Sequence, residues 1–296
     1  MKTTKITAII IVLMAFLVAM PSFAQQKQAL LVGISDYGNP REDPGKWQNI
    51  SGANDVQLLE SAFTQQGFKV TSLTDSKATY KAIIDALKSF VKQCNKGDIV
   101  YMHFSMHGQP IEDKNGDEAD GWDEALIPYD AQMKFAKGKY EGENHLLDDE
   151  LEEYINQIRS KIGEQGQLYV VLDACHAGTA SRGEGEHVRG VRDGFTFSDK
   201  LYKPDRNKET NDYFKIATAK GQSPVFFLEA CRSYQQNKEV RDKVTGQWYG
   251  PLSYYIFKAM SNNNIDHSGK WIDAVKDGMI GDRRLRKQNL VIESSK

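Results

Sequence analysis

The stretch that decides the fold is QLYVVLDACHAG at residues 167–178. Its first seven residues form a short apolar run, which is typical of a buried strand. A second run of the same kind, DIVYMHF at 98–104, leads directly into SMHG at 105–108. Each run therefore ends just before a residue with a reactive side chain, Cys175 in the first case and His107 in the second.

Strand and helix patterns alternate on both sides of these runs. The alternation predicts one doubly wound α/β domain, with a mostly parallel central sheet flanked by helices. Apolar runs predict strands at 28–34, 68–73, 98–104, 167–173 and 224–230, and helical spacing predicts helices at 52–66, 77–93, 148–162 and 249–260, with a capping acid at the start of 148–162.

Two polar segments interrupt the alternation. Residues 105–147 are rich in Asp, Glu, Gly and Lys, and we interpret them as a long functional loop. Residues 178–212 are basic and contain glycine, and they are expected to be a mobile insertion between two strands of one sheet. This second segment does not have the character of a linker between domains.

The overall composition narrows the class of protein. The chain has 296 residues, 40% hydrophobic and 26% charged, which is ordinary for a globular protein of one large domain or two small ones. A formal net charge of −2 gives no electrostatic reason to expect nucleic acid or an acidic membrane as a partner.

The first 24 residues have a different character. Lys2 and Lys5 precede an apolar run at 6–20, and PSFA follows at 21–24. This is the three-part pattern of a secretory signal with cleavage after Ala24, and the apolar run is shorter than the roughly 20 residues of a membrane-spanning helix. We expect a mature domain of residues 25–296, exported to the periplasm or the medium and not membrane-bound.

Three cysteines, Cys94, Cys175 and Cys231, leave at least one thiol unpaired. A free thiol in an exported protein needs a reason, and nucleophilic chemistry is one. Whether Cys94 and Cys231 form a disulfide is left open by the sequence.

The two strand-end motifs point to nucleophilic catalysis. If the two strands are neighbours in a parallel sheet, His107 and Cys175 project from the same edge into one cleft. A free thiol has a pKa of about 8.5, and an imidazole facing it can take its proton. The backbone N–H groups of Gly108 and Cys175 can then form an oxyanion hole.

Taken together, the motifs resemble a known family. FSMHG at 104–108 and DACHAG at 173–178 resemble the histidine and cysteine motifs of metacaspases and bacterial caspase-like peptidases. DEADGWDE at 117–124, LDDEL at 147–151 and Asn54-Asp55 match further metacaspase signatures in the right order. The resemblance covers roughly residues 28 to 260. It implies a single caspase-like (caspase-hemoglobinase) domain and a cysteine endopeptidase, a thiol protease with His107 and Cys175 as its catalytic dyad.

The resemblance also implies a substrate class. Metacaspases accept Arg or Lys before the scissile bond, and the matching pocket residues are Asp55, Ser105 and Asp173. Asp173 lies two residues before the nucleophile, where side chains i and i+2 of a strand share a side, so its carboxylate can pair with a guanidinium. The alternative is that Asp173 merely caps a following turn or helix. The expected partners are proteins or peptides with basic residues.

Calcium is the one cofactor that the sequence suggests. Asp113, Asn115, Asp117 and Glu124 occupy positions 1, 3, 5 and 12 of a calcium loop, but Glu118 stands where its turn needs Gly, which argues against an EF-hand. The metacaspase resemblance implies a different site, made by Asp123, Asp148 and Asp149. The alternative is a solvated acidic loop. No sequence pattern suggests an organic cofactor.

Three alternative functions stay open. One is a catalytically inactive caspase-fold regulatory or binding protein, although this chain keeps both the Cys and the His. Another is a calcium-binding surface module without activity. The third is a peptidase closer to legumain, gingipain or clostripain, which share the dyad.

The segment 178–212 suggests self-processing. Polar loops are preferred sites of proteolytic nicking, and an enzyme that accepts Arg or Lys would find suitable residues close to its own cleft. The alternative is that these cations only keep an exposed loop soluble. The candidate basic residues of this segment are Arg182, Arg189, Arg192, Lys200, Lys203, Arg206 and Lys208.

Overall fold

All five strands predicted from the sequence are present, as β1, β2, β3, β7 and β9 of the strands given below. The computed structural model describes residues 25–38, 45–116, 118, 120–175, 187–191, 193–198, 200–203 and 213–295. The strands within these residues are β1 (Lys27–Gly33), β2 (Lys69–Thr74), β3 (Ile99–Ser105), β4 (Gly108–Glu112), β5 (Trp122–Leu126), β6 (Leu146–Leu147), β7 (Gln167–Leu172), β8 (Tyr213–Lys215), β9 (Val225–Glu229), β10 (Val240–Arg241), β11 (Trp248–Tyr249) and β12 (Val291–Ser294).

Four of the described helices lie close to their predicted positions, and the fifth, α5, was not predicted. They are α1 (Gly52–Gln65), α2 (Tyr80–Gln93), α3 (Asp148–Ile162), α4 (Pro251–Met260) and α5 (Trp271–Gly281). Helix α2 begins three residues later than predicted because Thr79 is its N-cap, and the Thr79 side chain accepts a hydrogen bond from the Ala82 N–H.

Helix α3 has the predicted bounds, but the prediction that an acidic residue caps its N-terminus was wrong. Its N-cap is Leu147, which makes no side-chain hydrogen bond to the helix. Asp148, Asp149 and Glu150 lie in the first turn instead. There they stabilise the helix through its dipole rather than by capping it.

The central sheet positions the candidate catalytic residues. Its strand order is β2-β1-β3-β7-β9-β12-β8. The pairs β1–β2, β1–β3, β3–β7 and β7–β9 are all parallel, and β12 is antiparallel to β9. The carboxyl ends of β1, β3, β7 and β9 therefore meet at one edge, as expected for an open α/β sheet.

Two apolar cores cover the two faces of this sheet. Strand β3 alternates between them: Val100, Met102 and Phe104 pack into one core, and Ile99 and Tyr101 pack into the other. Helices α2 and α3 contribute to the first core, whereas α1, α4 and α5 contribute to the second. The result is the predicted three-layer α/β arrangement.

The interpretation of 105–147 as one long loop was wrong in part. Strands β4, β5 and β6 lie within it and form a three-stranded antiparallel sheet. These strands are at most five residues long, and β4 carries Pro110 while β5 carries Asp123 and Glu124. Such short strands with charged residues give no clear periodic signal.

The central sheet also includes residues beyond 260, which is about where the sequence resemblance to metacaspases ends. Helix α5 packs on α4, and β12 fills a place between β9 and β8. Strand β12 is only four residues long, with the sequence VIES, so it did not stand out as a strand.

The signal-sequence prediction concerns residues 1–24, which lie outside the described part of the chain. Within the described residues, no helix is long and apolar enough to cross a membrane.

Candidate active site

His107 and Cys175 lie at matching positions on neighbouring strands. Strands β3 and β7 are paired in parallel, with Phe104 opposite Leu172. His107 follows Phe104 by three residues, and Cys175 follows Leu172 by three. Both side chains are buried. The structure thus confirms that the two strands are neighbours, which was the condition for a shared cleft.

A backbone carbonyl fixes the tautomer of His107. Nε2 of His107 lies 2.7 Å from the carbonyl oxygen of Gln48, which can only accept, so Nε2 carries the hydrogen. Nδ1 is then the basic nitrogen, and this buried atom has no hydrogen-bond partner among the described residues. Burial lowers the pKa of His107 to about 4, which keeps the ring neutral near pH 7.

Two aromatic side chains hold the imidazole in place. The rings of Tyr37 and Trp47 lie 5.1 Å and 5.0 Å from the His107 ring, centroid to centroid. The hydroxyl of Tyr37 accepts the backbone N–H of His107 at 3.1 Å and donates to the Ile127 carbonyl at 2.9 Å. The orientation of the imidazole is therefore set by packing and by hydrogen bonds together.

The backbone N–H of Gly108 is directed away from the adjacent strand. Gly108 opens β4 opposite Leu126 of β5. The N–H of Ile127 donates to the His107 carbonyl at 3.0 Å, which makes the Gly108–Leu126 pair a non-hydrogen-bonded pair of the antiparallel ladder. In such a pair the N–H points outward, as an oxyanion-hole donor must.

The Cys175 thiol is not hydrogen-bonded to His107 in this structure. Its Sγ donates to the Gln235 carbonyl at 2.8 Å. Sγ of Cys231 lies 3.6 Å from the same oxygen, and the Cys175 thiol raises the pKa of Cys231 further above its usual range. All three cysteines are buried and none is in a disulfide bond, so Cys94 and Cys231 do not pair.

The three predicted pocket residues converge on a single guanidinium, that of Arg189. Its Nη2 lies 2.8 Å from Asp55 Oδ2, and its Nη1 lies 3.5 Å from Asp173 Oδ1. Nη1 also donates to Ser105 Oγ at 2.6 Å, and Ser105 Oγ in turn donates to Asp55. All four side chains are buried. The structure therefore brings the three predicted residues together around an arginine of the chain itself.

Glu239 is a third carboxylate in this pocket, and sequence reasoning missed it. Its Oε1 accepts from Nε of Arg189 at 3.0 Å and from Nη2 at 2.9 Å. Ser51 holds the same carboxylate through its backbone N–H at 2.6 Å and its hydroxyl at 2.9 Å. An arginine can donate two N–H groups to one carboxylate in a fork, whereas a lysine cannot.

The pocket is closely packed around its charges. A Cβ at Gly250 would lie 2.2 Å from Asp173 Oδ2 and 2.4 Å from Arg189 Nη1, so only glycine fits there. The N–H of Gly250 donates to Asp55 at 3.0 Å. Burial raises the pKa of Asp55 to about 7, whereas the Arg189 guanidinium acts in the opposite direction.

Asp173 does more than cap a turn. One carboxylate oxygen accepts from Asn237 Nδ2 at 2.8 Å. The other accepts from the backbone N–H and the hydroxyl of Ser253 at 2.8 Å and 2.6 Å. These bonds aim the carboxylate into the pocket, which agrees with the predicted position of Asp173 beside the nucleophile.

The predicted calcium ligands lie near one another at the junction of β5 and α3. Burial raises the pKa of Asp148 to about 7, and the charges of Glu124, Asp149 and Asp123 raise it further. These hard carboxylate oxygens suit calcium in chemical kind. Among the described residues, however, no three acidic, His or Cys side chains converge on a metal position. The EF-hand-like stretch forms a turn in which Asp113 accepts backbone N–H groups.

The residues missed by sequence reasoning carried weak signals. Gln48 acts through its backbone carbonyl, which no side-chain pattern can reveal. Glu239 comes well after the end of β9 and directly before the two-residue strand β10, so the pattern of reactive residues at strand ends does not reach it. The segment that contains Arg189 was identified only as a loop with basic residues.

Comparisons with known proteins identify the family of this chain. The sequence model of the family "Metacaspase, peptidase C14 domain" matches residues 27–182, more than half of the chain. Metacaspase-1 of Plasmodium falciparum is 30% identical over 161 residues, which is 52% of this chain and 24% of that protein. Metacaspase-2 of Arabidopsis thaliana is 27% identical over 267 residues, 86% of this chain and 57% of that protein. The chain thus covers less than two thirds of either relative.

A solved structure has the same fold. A crystal structure of a protein from Geobacter sulfurreducens matches with a TM-score of 0.61 at 19% identity, over 91% of this chain and 93% of that one. The chain belongs to the metacaspase family, peptidase C14 domain.

Proposed function

We propose that this protein is a cysteine endopeptidase that cleaves peptide bonds after Arg or Lys, with Cys175 as nucleophile and His107 as base. The observation that carries the proposal is the buried acidic pocket beside Cys175, in which Asp55 and Asp173 surround a guanidinium. A pocket that binds this group within the chain has the charge and shape to bind it in a substrate.

In the proposed reaction, Nδ1 of His107 takes the thiol proton of Cys175, while the Gln48 carbonyl holds the other nitrogen in its N–H form. The thiolate attacks the carbonyl carbon after the basic residue, and the N–H groups of Gly108 and Cys175 stabilise the oxyanion. The imidazolium then protonates the leaving amine, and water hydrolyses the thioester. Before the first step, the thiol must turn from Gln235 toward His107.

Two fluorogenic peptides test this proposal, identical except for Arg or Asp before the scissile bond. The proposal expects hydrolysis of the Arg peptide only. Purified protein that cuts neither peptide, with calcium present or absent, would favour the inactive caspase-fold alternative.

The pH dependence of binding should differ from that of catalysis. Asp55, with a pKa raised to about 7, loses its negative charge as the pH falls through that value. His107, with a pKa of about 4, stays a neutral base down to about pH 5. From pH 8 to pH 5.5 we expect KM for an Arg peptide to rise about tenfold, the equivalent of one pKa unit, with little loss of kcat.

The matched control is Asp55→Asn, which cannot titrate. Its KM should be high at every pH and change little over the same range. If kcat falls together with kcat/KM near pH 6.5, the pKa of His107 lies near the ordinary value of a histidine, which would contradict this prediction.

We further propose that Asp123, Asp148 and Asp149 bind calcium, which would neutralise carboxylates that repel one another at the start of α3. Added calcium should raise the thermal midpoint of the protein by a few degrees and increase activity, and chelator should reverse both effects. Asp148→Asn should lose most of the thermal shift, whereas Asp85→Asn, an exposed control on α2, should keep it. An unchanged midpoint, with full activity in chelator, would mean that these residues form only a solvated acidic surface.

A further inference from the structure

A second thiol lies beside the nucleophile. Cys175 follows β7 and Cys231 follows β9, and these two strands are parallel neighbours with Leu172 opposite Glu229. Cys175 comes three residues after Leu172, and Cys231 comes two residues after Glu229. Neighbouring strands lie about 4.8 Å apart, and the Cα atoms of a disulfide usually lie about 4.4 to 6.8 Å apart. The register of the sheet therefore places the two cysteines close together, on strand ends spaced as a disulfide requires.

The two sulfur atoms share one hydrogen-bond acceptor. Sγ of Cys175 lies 2.8 Å from the carbonyl oxygen of Gln235, and Sγ of Cys231 lies 3.6 Å from the same oxygen. Sγ of Cys231 also lies 3.9 Å from the carbonyl oxygen of Ala174, the residue before the nucleophile. A hydrogen bond with the Cys175 thiol, together with burial, raises the pKa of Cys231 well above its usual value. The two thiols thus contact each other as well as the shared carbonyl.

The shared acceptor is held in place by the fold. The N–H of Gln235 donates to the Arg232 carbonyl at 2.9 Å and closes a turn. The side-chain oxygen of Gln235 accepts from the backbone N–H of Arg232 at 3.2 Å and from that of Asn289 at 2.9 Å. Because these bonds fix the turn, its carbonyl keeps the Cys175 thiol beside Cys231 and turned away from its base.

We propose that Cys175 and Cys231 form a reversible oxidation site, in which a hydroperoxide converts the nucleophile into a Cys175–Cys231 disulfide. Cysteines that sense oxidants often have a resolving cysteine beside them, which reacts with the first oxidation product before further oxidation occurs. The disulfide itself depends only on the contact between the two thiols. Its consequence, a peptidase that is switched off without being destroyed, rests on the proposed function.

The reaction needs one molecule of hydrogen peroxide. The thiol proton of Cys175 passes to His107, and the thiolate attacks one peroxide oxygen, which breaks the O–O bond and gives a sulfenic acid. The departing hydroxide takes the proton from His107 and leaves as water. Sγ of Cys231 then attacks Sγ of Cys175, and the sulfenic hydroxyl leaves with the Cys231 proton as a second water. The two sulfur atoms together lose two electrons, which the peroxide gains.

The competing interpretation is that Cys231 only fills space beside the nucleophile. Buried cysteines commonly behave as small apolar residues. In that case a sulfenic acid on Cys175 would not be trapped, and it would be oxidised further to sulfinic and sulfonic acid, which a thiol reagent does not reverse. The two interpretations therefore differ in whether the oxidised enzyme recovers its activity on reduction.

The decisive experiment exposes the purified, reduced protein to a small molar excess of hydrogen peroxide and measures hydrolysis of an Arg peptide before and after addition of dithiothreitol. We expect the activity to fall at least about tenfold and to return to within about twofold of its starting value. Digestion without reductant, followed by mass spectrometry, should give one cross-linked pair of peptides, which contains Cys175 and Cys231. Cys94→Ala, which removes a buried thiol at the end of α2, should behave as wild type.

Cys231→Ala should start with the activity of wild type, lose it in the same peroxide treatment, and recover less than about a tenth of it on reduction, with sulfinic or sulfonic acid on Cys175. If that variant does not fold, Cys231→Ser, which keeps a side chain of similar size, should show the same irreversible loss.

Wild type alone can overturn the inference. If peroxide-treated wild type contains no Cys175–Cys231 cross-link, or if its activity does not return on reduction, the inference is wrong and the proposed function still stands. If the reduced protein has no peptidase activity, the proposed function is wrong, and the cross-linked peptides still decide whether the oxidation site exists.

Discussion

Cys175→Ala should lower kcat/KM for an Arg peptide by about 10⁴-fold or more, because no other group at the site can form the thioester. His107→Ala should cause a loss of similar size, since the thiol would lack its base, and the double variant should be little worse than either single one. The measurement is initial rate against peptide concentration for each purified variant.

The matched control for this prediction is Cys231→Ala. Cys231 is also a buried thiol, and it approaches the Gln235 carbonyl from the neighbouring strand, but it has no part in the proposed hydrolysis. Its activity should stay within about threefold of wild type. The thermal midpoints of both cysteine variants should fall by only a few degrees, as is common when a small buried group is removed. If Cys175→Ala kept full activity, or if only Cys231→Ala lost activity, the nucleophile would be Cys231 and not Cys175.

A peptide with Arg before the scissile bond should be hydrolysed at least about 10³-fold faster than the same peptide with Asp. Like charges held close together in an interface cost several kcal/mol, and every 1.4 kcal/mol is tenfold in rate. Here a substrate Asp would face three buried carboxylates, those of Asp55, Asp173 and Glu239. The test compares kcat/KM for the two peptides.

Substitutions of pocket residues should weaken the preference for Arg, whereas substitutions elsewhere should not. Asp173→Asn should lower kcat/KM for the Arg peptide by about 10²-fold, because a buried charge pair is broken. Asp85→Asn, which removes an exposed acid on α2, should leave the Arg preference unchanged. A preference for the Asp peptide would contradict the assignment of the pocket.

The central architecture could be predicted because its signals are local. The apolar runs of β3 and β7 are nearly continuous, and each ends just before a reactive residue, so the sheet edge and the pair His107 and Cys175 followed from the sequence. Strands β4, β5 and β12 could not be predicted in the same way. They are short, and their pairing depends on partners that are distant in the chain.

The pocket could be predicted only in part, for a similar reason. Asp55, Ser105 and Asp173 came from motifs, and the structure brings all three together. Glu239 lies in no recognised motif and reaches the pocket through the path of the chain after β9. The seven basic residues of 178–212 carry no local feature that singles out Arg189, because only the assembled pocket selects one of them.

The assignment of Cys175 as a nucleophile beside an acidic pocket is tested most directly by covalent labelling. The reagent is a peptide that carries Arg and a thiol-reactive chloromethyl ketone in place of the scissile bond, and the labelled protein is digested and analysed by mass spectrometry. We expect one adduct, on Cys175, that is strongly reduced in His107→Ala and in Asp173→Asn and absent with the matched Asp reagent. An adduct on Cys94 or Cys231, or equal labelling by the Arg and Asp reagents, would contradict the assignment.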